Sequence, residues 1–182
     1  MKKIKIGLLG CAEIADRLML PSINNHDFFE LVSVASRDKS KAINFAKKHR
    51  CSAEESYNTL ISNPKIDALY IPLPNGLRSK WILKALEHNK HVLSEKSFAM
   101  NYHTAKKLVN FASKRNLVLM ENFMFTKHSQ HKYVKSLIKN GVIGKLVSIN
   151  SYFTIPKLPR RNIRMIKSMG SGALFDLGCY NI

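Results

Sequence analysis

The chain has 182 residues, 45% of them hydrophobic and 23% charged: enough for one good core and an appendage, and a tight fit for two full domains. Lys and Arg outnumber Asp and Glu by 30 to 12, but they are spread over every predicted helix face and loop, and the densest run, Pro159 to Lys167, is interleaved with Ile163, Met165 and Ile166; this argues against a specific nucleic-acid partner and leaves a basic surface that attracts anionic small molecules. Three cysteines without CxxC spacing point to reduced thiols in the cytoplasm, no metal signature appears, and no apolar run can span a membrane or, with Lys5 interrupting the first one, serve as a signal peptide.

The first predicted element is a strand over residues 4–9 (IKIGLL), followed by a helix over 13–25. A strand at 31–35 (LVSVA) and a helix over 38–50, with Ala42, Phe45 and Ala46 inward, come next. The strand at 67–72 (DALYIP) precedes a helix over 77–90. That helix places Leu77, Trp81, Ile82, Ala85 and Leu86 on one face, with Arg78, Lys80, Lys84 and Glu87 largely elsewhere. A strand at 91–94 (HVLS), a helix over 101–115 with Ala105, Leu108, Val109 and Ala112 inward, and a strand at 117–121 (LVLME) complete the series. Short, apolar, partly β-branched strands are the kind buried on both faces, and each parallel crossover needs a helix of about a dozen residues. The alternation therefore predicts an α/β fold: a doubly wound parallel Rossmann sheet over residues 1–122.

The rhythm changes after Glu121. A helix is expected over 128–140, a turn around Gly141 and Gly144, a strand at 146–155, then a Pro/Arg segment and an apolar helical stretch from Ala173 to Ile182. Residues 123–182 read as the incomplete start of an α+β substrate domain, because a single strand cannot make a stable sheet. His128 and His131 lie three apart with no Cys or acidic residue at ligand spacing, and are expected at a surface or a helix cap.

Several stretches point to chemistry. The first strand runs into Gly10, Cys11, Ala12, Glu13, Ile14 and Ala15, which fits the dinucleotide fingerprint GxGxxG with alanine at its second and third glycine positions. Gly10 permits the tight turn, and small Ala12 lets backbone amides approach a pyrophosphate at the helix N-terminus. Ala15 permits close packing of helix on strand. The second strand ends in Ser36 and Arg37, where an NAD enzyme usually carries an acid for the ribose 2′-hydroxyl. A hydroxyl and a guanidinium suit a 2′-phosphate instead, with Lys39 or Lys41 adding positive field, so NADP is expected over NAD. Asp38 offers the alternative that this corner is only a capped helix start, with Arg37 solvated. Residues 71–75, Ile71, Pro72, Leu73, Pro74 and Asn75, lie at the carboxyl end of a strand, where α/β sheets place ligands, and Asn75 is expected to cap the next helix. Glu95 and Lys96 end another strand, with side chains pointing different ways in extended backbone.

Taken in order, GCAEIA, ASRD, IPLPNGL, HVLSEKSF, MENFMF, HSQH and GSGALFDLGCY resemble the Gfo/Idh/MocA oxidoreductases. The resemblance is to the branch with dihydrodiol dehydrogenase, glucose-fructose oxidoreductase and nucleotide-sugar 3-ketoreductases. It implies NADP-dependent hydride transfer on a sugar or related hydroxy or keto compound. Lys96 would bind the reacting oxygen, Glu95 would lie near the nicotinamide ribose, and Asp176 and Tyr180 would come from the DxGxY segment, with Tyr180 as acid/base. An adjacent Lys96 ammonium is expected to favour the Tyr180 phenolate.

The family continues into a larger, mostly antiparallel sheet, so the resemblance also implies a chain cut short, and a homodimer or larger assembly for full-length members. Such a chain would be an oxidoreductase or, with its pocket unfinished, a binder of NADP without turnover. Three positions depart from the pattern: Ser97 in place of proline, Arg78 where histidine is frequent, and Ser129 in place of proline. They lead to the expectation of looser geometry around Lys96. The glycine run of relatives is represented by Gly170, Ser171 and Gly172.

Overall fold

A computed structural model describes residues 2–159, 162–170 and 172–181. Arg160 and Arg161 of the basic run, Ser171 of the glycine run and the terminal Ile182 lie outside these described residues.

Six parallel strands form one sheet: β1 (Ile4–Leu9), β2 (Phe29–Ala35), β3 (Ser52–Ala53), β4 (Ala68–Ile71), β5 (His91–Glu95) and β6 (Leu119–Asn122), in the spatial order β3-β2-β1-β4-β5-β6. The side-chain period of two feeds both layers. Leu8, Val34 and Tyr70 point to one core with Leu20, Ile23 and Ala46, while Leu9, Ala35, Leu69 and Ile71 point to the other with Leu60, Ile82, Leu86 and Leu108. The first core is roofed by α1 (Leu20–Asn24) and α2 (Lys39–His49), the second by α3 (Tyr57–Ser62), α4 (Asn75–Glu87) and α5 (Tyr102–Lys114). The expected doubly wound sheet is present. Its order reverses between β1 and β4, which opens a crevice at their carboxyl ends.

The helix expected over 13–25 is divided. Residues 15–19 form a π-helical turn before α1, with the Leu20 amide donating to the Ala15 carbonyl. Pro21, within α1, has no amide to continue the α-helical ladder. The short pair β3 and α3 was not anticipated. Ser56 and Thr59 form a reciprocal capping box that starts α3, a helix of six residues, too short to show a clear periodic stripe. On α5 the prediction that Val109 is inward fails: Val109 is exposed, and Phe111 packs on the core beside Leu108 and Ala112. Arg78 on α4, expected at the surface, is buried.

After β6 a 3₁₀ turn (Met124–Lys127) leads to α6 (Ser129–Lys139), whose N-cap is His128, its ring accepting from the Gln130 amide at 3.2 Å. Gly141 and Gly144 turn the chain with positive φ. The strand expected at 146–155 is absent: those residues carry no regular structure, and Val147, Ile149 and Tyr152 are exposed. The alternation of apolar residues is there, but among the described residues no neighbouring strand takes its hydrogen bonds. The apolar stretch from Ala173 is broken as well. One α-turn, α7 (Ala173–Asp176), gives way at Leu177 to a 3₁₀ turn over Gly178–Tyr180. Among the described residues, no helix is long and apolar enough to cross a membrane, and all three cysteines are free.

Candidate functional site

The turn after β1 is built around Gly10. Its φ is +107°, and a Cβ there would stand 2.6 Å from Leu73 Cδ2. Only glycine satisfies both the dihedral and the approach of the β4–α4 loop. The Gly10 amide donates to the Ala35 carbonyl at 2.9 Å, fixing the turn to the end of β2. Asp16 makes the first i→i−4 bond, to the Ala12 carbonyl at 3.2 Å; the exposed Glu13 and Ile14 stand ahead of it, so their amides open the helix. Cys11 packs inward with its Sγ 3.9 Å from the Ala35 carbonyl, and burial pushes its thiol up to about 11. It is therefore packing for the loop, not a nucleophile. The Lys41 ammonium opposes that shift, which places its field over the loop.

At the end of β2, Ser36 Oγ accepts from the Asp38 amide at 3.2 Å, and Asp38 Oδ1 accepts from the Lys41 amide at 3.0 Å. Asp38 is thus the N-cap of α2, as its alternative reading required, while Arg37 beside it is exposed. Arg37 also acts on Tyr57: burial raises the tyrosine pKa, and the guanidinium pulls it back. The Tyr57 hydroxyl lies 3.8 Å from where a Gly10 Cβ would be, so Gly10, Arg37 and Tyr57 converge. Tyr57 was not singled out from the sequence, because it belongs to the unanticipated α3.

In the loop after β4, Pro72 and Leu73 are buried, and Pro74, not Asn75, is the N-cap of α4. Asn75 is the first helical residue. Its Oδ1 accepts from Arg78 at 2.6 Å and its Nδ2 donates to the Gly170 carbonyl at 3.0 Å, so it joins two parts of the chain instead of capping the helix.

Near the carboxyl ends of β4, β5 and β6 lies a small cleft lined by Ile14, Leu18, Tyr70, Glu95, Asn122 and Met124. Glu95 is held in it by two donors, the Tyr70 hydroxyl at 2.8 Å and Asn122 Nδ2 at 2.6 Å. Burial and the Glu95 charge raise the Tyr70 pKa far above the usual tyrosine range, so Tyr70 acts as a fixed donor. Tyr70 read as an ordinary strand residue, and Asn122 stood in the MENFMF segment of the resemblance without a role assigned to it.

Lys96 follows the last residue of β5 and has different partners from Glu95. Its Nζ is 3.5 Å from Asp176 Oδ1, donates to the Asp176 carbonyl, and lies 4.7 Å from the Tyr180 ring centre. Arg164 Nε approaches the other carboxylate oxygen at 3.1 Å. The structure therefore gathers Lys96, Asp176 and Tyr180. It does not support the expected phenolate: the Tyr180 pKa is raised, first by burial, then by Cys179, Glu95 and Asp176, against a smaller lowering by Arg164. Lys96 lies over the ring face, and the neutral phenol is favoured. The ring also packs against Phe123, Phe125 and Phe153, with centroids 5.1–6.0 Å away.

The expected looseness around Lys96 is not found. Arg78 reaches from α4 and donates through Nη1 to Asn75 Oδ1, to the Ser97 carbonyl at 3.0 Å and to the Lys96 carbonyl.

Residues 4–123 match the family profile described as "Oxidoreductase family, NAD-binding Rossmann fold", and residues 131–182 match the GFO/IDH/MocA C-terminal domain. A dTDP-3,4-didehydro-2,6-dideoxy-alpha-D-glucose 3-reductase of Saccharopolyspora spinosa is 44% identical over 179 residues, 98% of this chain and 54% of that protein. A trans-1,2-dihydrobenzene-1,2-diol dehydrogenase of Xenopus tropicalis is 33% identical over 164 residues, 88% of this chain and 48% of that protein. The crystal structure of KijD10, a 3-ketoreductase from Actinomadura kijaniata in complex with NADP and TDP-benzene, superposes with a TM-score of 0.96 at 40% identity, over 98% of this chain and 55% of that one. The chain spans about half the length of these relatives.

Proposed function

Because the chain belongs to the Gfo/Idh/MocA oxidoreductase family, we propose that it forms part of an NADP-dependent reductase whose substrate is a keto sugar carried on a nucleoside diphosphate. The observation that carries the reading is the meeting of Lys96, Asp176 and Tyr180 beside the cleft that holds Glu95. The substrate class follows the S. spinosa reductase and KijD10, to which this chain is similar along nearly its whole length.

The residues present fit the cofactor. A Cβ at Gly10 would fill the turn, the amides of Glu13 and Ile14 open the helix where a pyrophosphate is best received, and exposed Arg37 with Lys41 provides charge for a 2′-phosphate. Ser36, Cys11 and Ala12 shape the same loop, the segment from Pro72 through Leu73 and Pro74 to Asn75 forms its opposite wall, and Glu95 is poised for a ribose hydroxyl. When bound, NADPH supplies the hydride. Lys96 then orients the carbonyl oxygen and offsets its developing charge. Tyr180, kept neutral by burial, supplies the proton to that oxygen. Asp176 holds Lys96 in place, its carbonyl accepting a hydrogen bond and its carboxylate pairing with the ammonium. Free thiols at Cys11, Cys51 and Cys179 accord with the cytoplasmic setting read from the sequence.

The exposure of Val147 (90%), Tyr152 (88%) and Ile149 (75%) favours a second reading for this stretch taken alone, in which it holds NADP without turnover. Calorimetric titration with NADPH and NADH, followed by absorbance at 340 nm after adding a dTDP-linked keto sugar, separates the two. Heat with NADPH and loss of absorbance support the reductase, and heat without loss supports the binder. No heat with either nucleotide overturns both.

A further inference from the structure

We infer that Arg78 is a positioning residue whose buried guanidinium grips the consecutive carbonyls of Lys96 and Ser97 and so fixes the direction in which the Lys96 side chain leaves the end of β5. The inference rests on the reading of Lys96 as the residue that meets the reacting oxygen.

Arg78 is 7% exposed, and among the described residues none of its hydrogen bonds or ion pairs goes to a carboxylate. Its Nη1 is shared by the Lys96 carbonyl, the Ser97 carbonyl and Asn75 Oδ1, while its buried Nε has no partner among the described residues. A guanidinium in that position is costly, and burial lowers its pKa to about 10. Helix capping does not account for it, since Arg78 lies in the first turn of α4, where the dipole disfavours a cation. Two of the three acceptors of its Nη1 instead lie on one turn, that of Lys96 and Ser97. Two consecutive carbonyls held by one donor restrict the rotation of the peptide from which Lys96 projects, and Asn75 holds that donor while its other end binds the Gly170 carbonyl. The link therefore runs from the segment preceding α7, through Asn75 and Arg78, to the backbone of Lys96. That segment leads into Asp176, the residue that receives the Lys96 ammonium. The ammonium is thus fixed at its root by Arg78 and at its tip by Asp176.

Trace acetylation with acetic anhydride, read lysine by lysine by mass spectrometry, reports how firmly Lys96 is held. In the unaltered chain Lys96 should react more slowly than exposed Lys106. Arg78→Met should speed acetylation of Lys96 about fivefold, the equivalent of one ordinary hydrogen bond lost. Lys106 should keep its rate, and Arg78→Lys should restore part of the protection, which a general loosening of the fold would not do. An unchanged Lys96 rate in folded Arg78→Met overturns the inference. If Arg78→Met does not fold, Arg78→Lys alone decides, with an intermediate Lys96 rate expected and an unaltered one overturning it. NADPH titration of the unaltered chain tests the functional reading separately: absence of binding removes the cofactor and leaves the acetylation result to judge Arg78.

Discussion

The Lys96 ammonium lies over the face of the Tyr180 ring, 4.7 Å from its centre, and it donates to the Asp176 carbonyl and pairs with the Asp176 carboxylate. A cation over the ring stabilises the aromatic group without engaging its hydroxyl. Tyr180 should accordingly ionise above the ordinary tyrosine value, since burial raises its pKa. The difference in absorbance at 295 nm between the unaltered chain and Tyr180→Phe, followed with pH, should show its step above pH ~10. A step below that value contradicts a buried proton donor.

Lys96→Ala separates binding from chemistry. The Gly10 turn and Arg37 do not touch Lys96, so NADPH affinity should stay within about twofold, while turnover by a chain that includes the rest of the substrate domain should fall by about 100-fold or more. Steady-state kinetics with a dTDP-linked keto sugar reads the second quantity, and undiminished turnover removes Lys96 from the mechanism.

Arg37→Asp should reverse the cofactor preference. Exposed Arg37 stands at the end of β2, where a carboxylate would repel a 2′-phosphate and accept from a ribose 2′-hydroxyl. Calorimetry should show NADPH weakened by about tenfold or more relative to NADH, because each tenfold corresponds to ~1.4 kcal/mol, the lower edge of what one charged hydrogen bond contributes. Unaltered relative affinities would place the 2′-phosphate elsewhere.

The sheet was legible because its strands are buried on both faces and carry strong apolar runs, and the Gly10 turn because a positive φ beside a close approach demands glycine. Elements that rely on tertiary partners were not. The stretch 146–155 has the alternation of a strand and no neighbour to pair with, and Arg78 sits at a polar position of a helical pattern yet is buried by the Lys96 turn, which lies 18 residues away in sequence. Likewise, Glu95 and Lys96 were visible as a pair, whereas the Tyr70 and Asn122 donors that hold Glu95 come from neighbouring strands and show only once the sheet is assembled. The expected Tyr180 phenolate failed for a related reason: adjacency of a lysine does not say whether it meets the hydroxyl or the ring.

Alkaline pH should destabilise the fold through its thiols. Cys11 and Cys51 are both pushed up to about 11 by burial. A pKa raised in the folded state means that the folded chain holds the proton more tightly, so the contribution is complete below the unfolded thiol value near ~9 and is lost as pH rises through about 11. For Cys11, which is 5% exposed, the loss is roughly 2 kcal/mol. Thermal melts should show a falling midpoint between about pH 9 and about pH 11, with a smaller fall in Cys11→Ala. An equal fall in both would assign the alkaline transition to other groups.

Gly170 and Gly76 meet where the segment before α7 crosses the start of α4. A Cβ on Gly170 would lie 2.6 Å from the Gly76 amide nitrogen and 2.6 Å from Met100 Sδ, in a residue whose φ is +72°. The thioether is the flexible end of a side chain and can move; the backbone nitrogen of α4 cannot. Gly170→Ala should therefore cost roughly 1–3 kcal/mol, combining left-handed strain with the clash. Because the Asn75 bond to the Gly170 carbonyl is made at the same crossing, the loss should be local: the segment leading to Asp176 detaches while the six-stranded sheet keeps its packing. Limited proteolysis should then cut Gly170→Ala between residues 157 and 170 several times faster than the unaltered chain, with the sheet domain surviving as a stable product. Equal cleavage rates would show that this crossing does not hold Asp176 against Lys96.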